Sequence, residues 1–358
     1  MGAAVYFVVD ATLLPIALIQ AVRAAEMTPA HVDIHVFCED ERSSRLDIPE
    51  AVAARTRGRL YLHPNRLLHR VPSNVQTAWH WPPVVYAWLF APALLGYRRL
   101  LKMDVDILIE RPLDELFSLD MRGRPLAAIQ NAGPLRSTKQ DAVGPKHLGQ
   151  FEVWDPYFNS GIVLIDRDRW IDFDFTADIA QFSANHGKQV RFVDQDFVNV
   201  RFYGDWLSLS PRWNCQRGML DVGLRDPVGP HVLHFTGPEK PWHTAMALLA
   251  PQLASSFDAM AVAAGFSSAE LRSLQTPPSP GGLKTLRRAT RRMMHVGGII
   301  TSHARERFAE WLALREHLLA SMHGSIATGA FGDAFSLPPT LPTPTPIFDG
   351  RAFRVRQL

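Results

Sequence analysis

Short apolar runs alternate with segments of helical spacing along the N-terminal half of the chain. Residues 3–9 form a β-rich apolar run, residues 13–25 carry Leu14, Leu18 and Val22 at helical spacing, and residues 32–37 form a second apolar run. Further strands are predicted at 60–62, 99–103, 126–129 and 161–165, and further helices at 84–95 and 175–185. The alternation predicts an α/β fold with a mostly parallel sheet and helices on both faces, whose ligands gather at the carboxyl ends of the strands.

The composition changes after about residue 275. Residues 276–282 are rich in Pro, Gly and Ser, which is typical of a linker. We expect one large domain over residues 1–275, a basic and helical C-terminal extension over 283–335 with a helix at 304–322, and a Pro-rich tail over 336–358.

Basic charge is concentrated in one segment of the chain. The formal net charge is +3, and an acid-free run of five basic residues contributes more than this. These residues are Lys284, Arg287, Arg288, Arg291 and Arg292. The rest of the chain is close to neutral, which argues against a nucleic-acid-binding protein, because such a protein carries a broad basic face.

The basic segment at 283–296 also has an apolar side, formed by Leu283, Leu286 and Met293. One interpretation is a solvated helix that packs on the large domain. The other, which we expect, is a helix that makes peripheral contact with an anionic membrane surface.

Cysteine content and hydropathy bear on the compartment. Cys38 and Cys215 are too few for a disulfide framework, and we expect both to be buried thiols in a reducing compartment. No run reaches about 18 uninterrupted apolar residues, and the apolar N-terminal segment lacks a basic leader. The sequence therefore predicts a cytoplasmic protein without a membrane span.

Two carboxylates interrupt the apolar run at 100–109. Asp104 and Asp106 are two positions apart, so in an extended backbone they project to the same side, roughly 7 Å apart. Carboxylate oxygens suit Mg²⁺ or Mn²⁺, ions that complete their coordination with water and substrate phosphates. A divalent ion that carries a diphosphate is one interpretation; solvated residues that end a strand are the other.

Three later segments are also rich in chemically useful groups. Asn159 and Gly161 open the strand predicted at 161–165, where an amide can bind hydroxyl groups and a glycine permits close approach of a ligand. The second segment is Asp194-Gln195-Asp196, one member of which is an ordinary candidate for helix capping. The third contains His234, Gly237 and Lys240 and combines a candidate metal ligand with phosphate-binding groups.

Together these segments resemble a known family. They occur in the same order and with similar spacing in the family 8 glycosyltransferases, and the resemblance covers roughly residues 3–245. Those enzymes are retaining transferases of the GT-A fold, a Rossmann-like, mixed and mostly parallel sheet flanked by helices. They are related to bacterial lipopolysaccharide galactosyl- and glucosyltransferases and to glycogenin. The segments that carry the resemblance are 86–89, 97–117, 158–161, 194–196 and 234–242.

The resemblance implies roles for individual residues. Asp104, Asp106 and His234 would hold Mn²⁺, or Mg²⁺ in its place. Gln195 and Asp194 would be the catalytic residues beside the donor sugar. The remaining contacts to the UDP-sugar would come from Asp10, Thr12, Asp104, Val105, Asn159, Gly237 and Lys240.

The implied activity is that of a hexosyltransferase. Galactose or glucose would move from a UDP-sugar to a glycan or a lipid-linked acceptor, in bacterial polysaccharide or lipopolysaccharide synthesis. Because an amide is a poor nucleophile, we favour attack on the same face of the sugar, with Gln195 as an electrostatic support, over a covalent intermediate.

Three positions depart from the family pattern. Trp88 stands where the family usually has an arginine that reaches the donor sugar. Thr12 stands where it usually has an asparagine, and Lys102 where a tyrosine or an apolar residue is common. These departures leave the donor sugar and the acceptor open.

Two alternatives remain. A non-catalytic relative that binds a UDP-sugar or a glycan is one, motivated by Trp88 and the altered first loop. An aspartyl phosphotransferase is the other, because such enzymes also end a strand in Asp-x-Asp. The chain lacks their later Gly-Asp-x-x-x-Asp segment, since Gly204-Asp205 is followed by Leu209.

Overall fold

The computed structural model describes most of the chain in separate ranges. These are residues 2–40, 48–75, 82–131, 148, 156–187, 189–237, 240–243, 251–274, 302–338, 341, 346–348 and 353–355. The predicted linker at 276–282 and the basic segment at 283–296 lie outside the described residues. The division of the chain there stays a prediction.

Most strands of the described residues belong to a large and a small sheet. The large sheet contains β1 (Ala3–Val9), β2 (Val32–Cys38), β3 (Leu60–Pro64), β4 (Arg99–Met103), β6 (Leu126–Gln130), β7 (Phe158–Asp166) and β8 (Leu207–Leu209). The small sheet contains β5 (Ile107–Ile109), β9 (Cys215–Gln216) and β10 (Val232–His234), and a hairpin near the C-terminus pairs β11 (Pro346–Phe348) with β12 (Phe353–Val355).

The order of the large sheet is β3-β2-β1-β4-β7-β6-β8. All of its strands run parallel except β7, which is antiparallel to both of its neighbours. The predicted mixed, mostly parallel sheet is therefore confirmed.

Helices lie between these strands and after them. They are α1 (Leu14–Glu26), α2 (Glu50–Thr56), α3 (Ala91–Leu94), α4 (Asp114–Phe117), α5 (Arg167–Trp170), α6 (Phe175–His186), α7 (Val193–Arg201), α8 (Arg217–Asp221), α9 (Arg225–Val228), α10 (Pro251–Ala263), α11 (Ser268–Leu274) and α12 (Ser302–Ala327). Among the described residues, 3₁₀ helix also occurs at Leu68–Arg70, Pro83–Phe90 and Pro211–Trp213.

Alternate residues of β1 face opposite sides of the large sheet, as the two-residue period of a strand requires. Val5 and Phe7 belong to the same buried cluster as the apolar face of α1. Ala4 and Tyr6 belong to a second cluster, which contains the aromatic residues of 86–90. Both faces of the sheet are thus covered, as the pattern predicted.

The helix predicted at 84–95 has a different geometry. It is a 3₁₀ helix over Pro83–Phe90 that continues as α3. Pro92 has no N–H to donate to the carbonyl of Trp88, which accepts instead from the Ala91 N–H and from the Tyr6 hydroxyl at 3.2 Å. The sequence pattern located the segment but not this pitch.

Strand β7 begins three residues earlier than predicted and is irregular. Its pairing with β6 shifts between Ala128 and Ile129, so that Ala128 pairs with Val163 and Ile129 pairs with Asn159. The extra residues on β7 include Gly161, and this bulge brings the start of the strand toward the end of β10.

The C-terminal helix α12 packs on the small sheet. Leu318, Leu319 and Met322 of α12 are buried in one cluster with Leu108 and Leu233 of β5 and β10. None of the helices among the described residues combines the length and the apolar character needed to cross a bilayer.

Candidate active site

Three predicted metal ligands converge just beyond the end of β4. One ligand atom from each of Asp104, Asp106 and His234 lies within 4.8 Å of the others. The His234 Nε2 atom is 3.3 Å from an Asp106 oxygen and 3.9 Å from an Asp104 oxygen. His234 is the last residue of β10. This strand pairs with β5, which begins directly after Asp106. These two carboxylates and one imidazole, together called the triad, form a donor set that fits a divalent cation.

A glycine makes room for the imidazole. A Cβ atom on Gly161 would lie 2.2 Å from His234 Cε1 and 2.8 Å from His234 Nδ1. The backbone around it is also engaged, because the Asp104 N–H donates to the Gly161 carbonyl at 2.7 Å. Only glycine therefore lets β7, Asp104 and His234 approach one another as they do.

Each aspartate is paired with a lysine. The Lys102 ammonium contacts Asp104, and the Lys240 ammonium contacts Asp106. Burial alone raises the pKa of Asp106, but the charges of Lys240 and His234 outweigh burial and hold that pKa well below its usual range. Each aspartate thus lies beside a positively charged partner.

Lys102 is a buried cation with three kinds of neighbour. Its side chain is 4% exposed, and its ammonium donates to the Ser160 carbonyl at 2.8 Å as well as to Asp104. It also lies 5.1 Å from the centre of the Trp88 ring, in a cation–π contact. Two of the three residues that depart from the family pattern, Trp88 and Lys102, therefore touch each other.

Neutral hydrogen bonds connect His234 to the predicted catalytic glutamine. His234 Nδ1 is 3.0 Å from Asn214 Oδ1, and Asn214 Nδ2 donates to Asn159 Oδ1 at 2.9 Å. Asn159 Nδ2 in turn donates to Gln195 Oε1 at 2.9 Å, and the Ser160 N–H donates to the same oxygen at 3.2 Å. Asn159 is the second residue of β7, and from this position it contacts both Asn214 and Gln195.

Asp194 is buried beside this network. Its carboxylate accepts the Trp88 indole N–H at 2.9 Å. Burial raises the pKa of Asp194 to about 6, against the lowering effect of the nearby Lys102 charge. The carboxylate is therefore a charge held at some cost within the fold.

Asp196 and Asn199 serve the backbone. Asp196 is fully buried and accepts the Tyr157 hydroxyl at 2.5 Å and the N–H groups of Arg191 and Phe192 at 2.7 and 2.9 Å. Asn199 exchanges two hydrogen bonds with the backbone of Phe158. These contacts hold the start of α7 against β7.

The start of α7 is strained. Val193 has a φ of +43°, a left-handed conformation that is costly for a β-branched residue. It directly precedes Asp194 and Gln195, so the strain occurs where the two predicted catalytic side chains enter the site.

The family model for glycosyl transferase family 8 matches residues 4–245 of the chain. The chain belongs to this family. The resemblance that the motifs carried is thereby confirmed.

Two similar proteins show how far the likeness extends. General stress protein A of Bacillus subtilis is 28% identical over 200 residues, which are 50% of this chain and 64% of that protein. The lipopolysaccharide 1,2-glucosyltransferase of Escherichia coli is 28% identical over 176 residues, which are 46% of this chain and 50% of that protein. The chain thus spans between half and two thirds of the length of these relatives.

Solved structures support the fold. A galactosyltransferase, LgtC, in complex with donor and acceptor sugar analogues, superposes with a TM-score of 0.57 at 21% identity, over 77% of this chain and 98% of that one. The bifunctional glycosyltransferase WbbM superposes with a TM-score of 0.54 at 18% identity, over 76% and 52% of the two chains. The fold is therefore that of the GT-A glycosyltransferases.

The other predicted ligand-binding residues lie in the segments that follow β1, β4 and β10. Asp10 follows β1, and its Oδ1 atom accepts the Leu13 N–H at 3.1 Å, while Thr12 lies exposed in the same turn. Gly237 has a φ of +104°, and no atom of the described residues fills the place where its side chain would stand. Val105 lies between the two aspartates and is buried. Their contacts to a ligand stay predictions.

Two buried amides of the site were not predicted from the sequence. Gln20 of α1 donates to the carbonyls of Val105 and Ile107 at 3.0 and 2.8 Å and so fixes the turn that presents Asp106. Asn214 orients His234 through its contact with Nδ1. A single glutamine in the apolar stretch of α1 was a visible signal for the first; the second had no signal in its local pattern.

Proposed function

We propose that this chain is a divalent-metal-dependent, retaining hexosyltransferase that uses a UDP-sugar as donor and a glycan or lipid-linked molecule as acceptor. The observation that carries the proposal is the convergence of Asp104, Asp106 and His234 beside the amide groups of Asn159 and Gln195. Membership of the family supports glycosyl transfer. The ion, the donor and the acceptor are parts of the proposal.

Mn²⁺ or Mg²⁺ would be held by Asp104, Asp106 and His234. The residues fit such an ion, because the contact of His234 Nδ1 with Asn214 leaves Nε2 facing the two carboxylates. When bound, the ion supplies a Lewis acid that stabilises the negative charge of the departing nucleotide. Asp10, Thr12 and Val105 are proposed to contact that nucleotide.

The two lysines neutralise the aspartates and can serve the diphosphate instead. Asp104 and Asp106, which take positive charge from Lys102 and Lys240, would instead pair with a divalent cation when one is bound. Lys240, next to the open backbone of Gly237, is then available to donate to phosphate oxygens. Lys102 stays anchored by the Ser160 carbonyl and adds positive charge behind the leaving group.

Asp194 and Gln195 are proposed to stabilise the positive charge that develops on the sugar. Asp194 offers a buried carboxylate and Gln195 a fixed amide dipole. The Gln195 Oε1 atom already accepts two hydrogen bonds, and these make the amide an even poorer nucleophile. Attack on the same face is therefore favoured, and a trapped glycosyl adduct on any side chain would contradict it.

The test is donor turnover by the full chain. A panel of UDP-hexoses is incubated with and without Mn²⁺, using wild type, the double variant Asp104→Asn, Asp106→Asn, and Asp205→Asn as a control. Asp205 is 52% exposed in its side chain and pairs with Arg124 at the surface. We expect Mn²⁺-dependent release of UDP that the double variant loses and the control keeps. Turnover that is equal without the metal and in the double variant would overturn the proposal.

A non-catalytic binding protein is the second candidate. The indole of Trp88 engages Asp194, and this contact favours a carboxylate that is held in place rather than presented to a donor. Tight, Mn²⁺-dependent binding of UDP without turnover on any acceptor would support this candidate. Phosphatase activity that ignores sugar nucleotides would instead support the phosphotransferase alternative, which family membership argues against.

Bacterial polysaccharide or lipopolysaccharide synthesis is the proposed setting. One similar protein is a lipopolysaccharide 1,2-glucosyltransferase, which supports a glycan or lipid-linked acceptor here. A cytoplasmic location with peripheral membrane contact through residues 283–296 goes with it, and that segment lies outside the described residues. Replacing its five basic residues with glutamine should abolish binding to anionic liposomes, and unchanged binding would reject the membrane contact.

A further inference from the structure

The region beyond the family match returns to the small sheet. The match ends at residue 245, and α12 buries Leu318, Leu319 and Met322 on the sheet that contributes His234. After α12, the Gly332 N–H donates to the Ser208 carbonyl of β8 at 2.8 Å. A Cβ atom on Gly332 would lie 2.6 Å from Leu207 Cδ2, so this segment is pressed closely against the edge strand.

One carboxylate on this segment binds an entire turn of the catalytic domain. The Asp333 side chain is 5% exposed. One of its oxygens accepts the Ser210 N–H at 2.8 Å. The other accepts the Ser210 hydroxyl at 2.6 Å, Arg212 Nε at 3.1 Å and the Trp213 indole N–H at 2.9 Å. All four donors belong to the 3₁₀ turn that follows β8.

The next residue after this turn is Asn214. It is fully buried, and its amide contacts His234 Nδ1 on one side and Asn159 on the other. The backbone that positions Asn214 is therefore the backbone that Asp333 holds. The Asp333 carboxylate accepts these hydrogen bonds from residues of the turn. Its influence on His234 therefore passes through the turn and Asn214.

We propose that Asp333 is a positioning residue for the candidate metal centre. By holding Ser210 and Trp213 it fixes Asn214, and Asn214 fixes the orientation of the His234 ring. The segment after α12 thus makes the metal centre depend on a part of the chain outside the family match. A measurement of Mn²⁺ affinity rests on the proposed function, because it assumes that the site binds a metal ion. A measurement of the His234 ring nitrogens by NMR does not.

The experiment uses the full chain with Asp333→Ala, Asp333→Asn and the exposed control Asp205→Asn. Mn²⁺ affinity is measured by electron paramagnetic resonance without nucleotide, and the ring nitrogens of His234 are followed by NMR of ¹⁵N-histidine-labelled protein in EDTA. We expect Asp333→Ala to weaken Mn²⁺ binding about tenfold and to shift the His234 nitrogens, with a smaller effect for Asp333→Asn. The control should change neither.

A cycle with Asn214→Ser separates positioning from general stability. If Asp333 acts through Asn214, the effects of Asp333→Asn and Asn214→Ser on the His234 signals and on Mn²⁺ affinity are less than additive. Additive effects, or a folded Asp333→Ala variant with unchanged His234 signals, would overturn the inference. If Asp333→Ala does not fold, the Asp333→Asn cycle decides. A wild type that does not bind Mn²⁺ would contradict the proposed function, and the NMR cycle would still test the role of Asp333.

Discussion

The two halves of the candidate site are held together by different forces. The charged half consists of Asp104, Asp106 and their lysine partners, and its contacts are ion pairs. The amide half consists of Asn214, Asn159 and Gln195, and its contacts are neutral hydrogen bonds between buried groups. His234 joins the two, with Nε2 toward the charged half and Nδ1 toward the amide half.

This difference suggests a division of labour. An ammonium group can leave a carboxylate when another cation takes its place, so the charged half can exchange partners when ligands bind. A buried amide that leaves its partner loses a hydrogen bond without replacement, so the amide half stays fixed. Substitutions beside His234, and then within each half, test whether the two halves behave differently.

Gly161→Ala should displace His234, which joins the two halves, and have the largest effect. The new methyl group would overlap the His234 ring, which must move away from both halves. We expect Mn²⁺ binding and transfer activity to fall about 10²-fold or more, because small displacements of catalytic groups carry penalties of this size. Mn²⁺ titration and initial rates measure the loss.

Gly96→Ala is the matched control. Gly96 is exposed, and no atom of the described residues packs within 4 Å of the position that an alanine Cβ would take. If both variants lose activity alike, the close contact with His234 is not the cause.

Asp194→Asn should lower activity and raise stability. The substitution removes the negative charge that is proposed to face the donor sugar, which we expect to cost about 10²-fold in kcat. The folded chain holds the Asp194 proton to a higher pH than the unfolded chain, since its pKa rises from 3.8 to about 6. The ionised group therefore destabilises the fold at pH 7, by about 3 kcal/mol from the size of the shift.

The stability difference between Asp194→Asn and wild type should depend on pH. The stability advantage of Asp194→Asn over wild type should be full above pH 6 and should vanish as the pH falls below 3.8, where both states are protonated. Urea unfolding in EDTA at several pH values measures it. An advantage that is the same at all pH values would contradict the assignment of a costly charge to Asp194.

Lys102→Met should strengthen Mn²⁺ binding, because it removes the ammonium group that pairs with Asp104. Methionine fills similar space without charge, so a cation no longer competes with a metal ion at Asp104. We expect Mn²⁺ alone to bind about tenfold more tightly, or about 1.4 kcal/mol, as measured by electron paramagnetic resonance.

Arg99→Met is the control for Lys102→Met. Arg99 lies on the same strand and pairs with Asp166, away from the triad. Weaker Mn²⁺ binding in Lys102→Met than in Arg99→Met would show that the lysine supports the ion rather than competing with it.

Trp88→Phe should have the smallest effect. It removes the indole N–H that donates to Asp194 but keeps an aromatic ring beside Lys102 and Trp170. Loss of one hydrogen bond, at about 1 kcal/mol, predicts a change of about fivefold in kcat, which initial rates at saturating donor measure. A loss as large as that of Asp194→Asn would mean that the tryptophan itself takes part in turnover.

Periodicity located most elements of the large sheet. Strands β1, β2 and β4 lie where the apolar runs predicted them, because strands that are covered on both faces of such a sheet are mostly apolar. The start of β7 was missed because the polar residues Asn159 and Ser160 precede the apolar run, and asparagine has low strand propensity. Asn159 enters the sheet by pairing with Ile129 of β6.

The sequence by itself determined the family, the order of the elements and the residue types of the site. Spacing along the chain is enough to recognise Asp104, Asp106 and the segment from His234 to Lys240 as a set. Tertiary structure alone decided that lysines neutralise the aspartates, that Gly161 makes room for His234, and that Asn214 and Asp333 support it. Each of these contacts joins residues from separate elements, and no local pattern encodes which distant side chain will complete a buried hydrogen bond or ion pair.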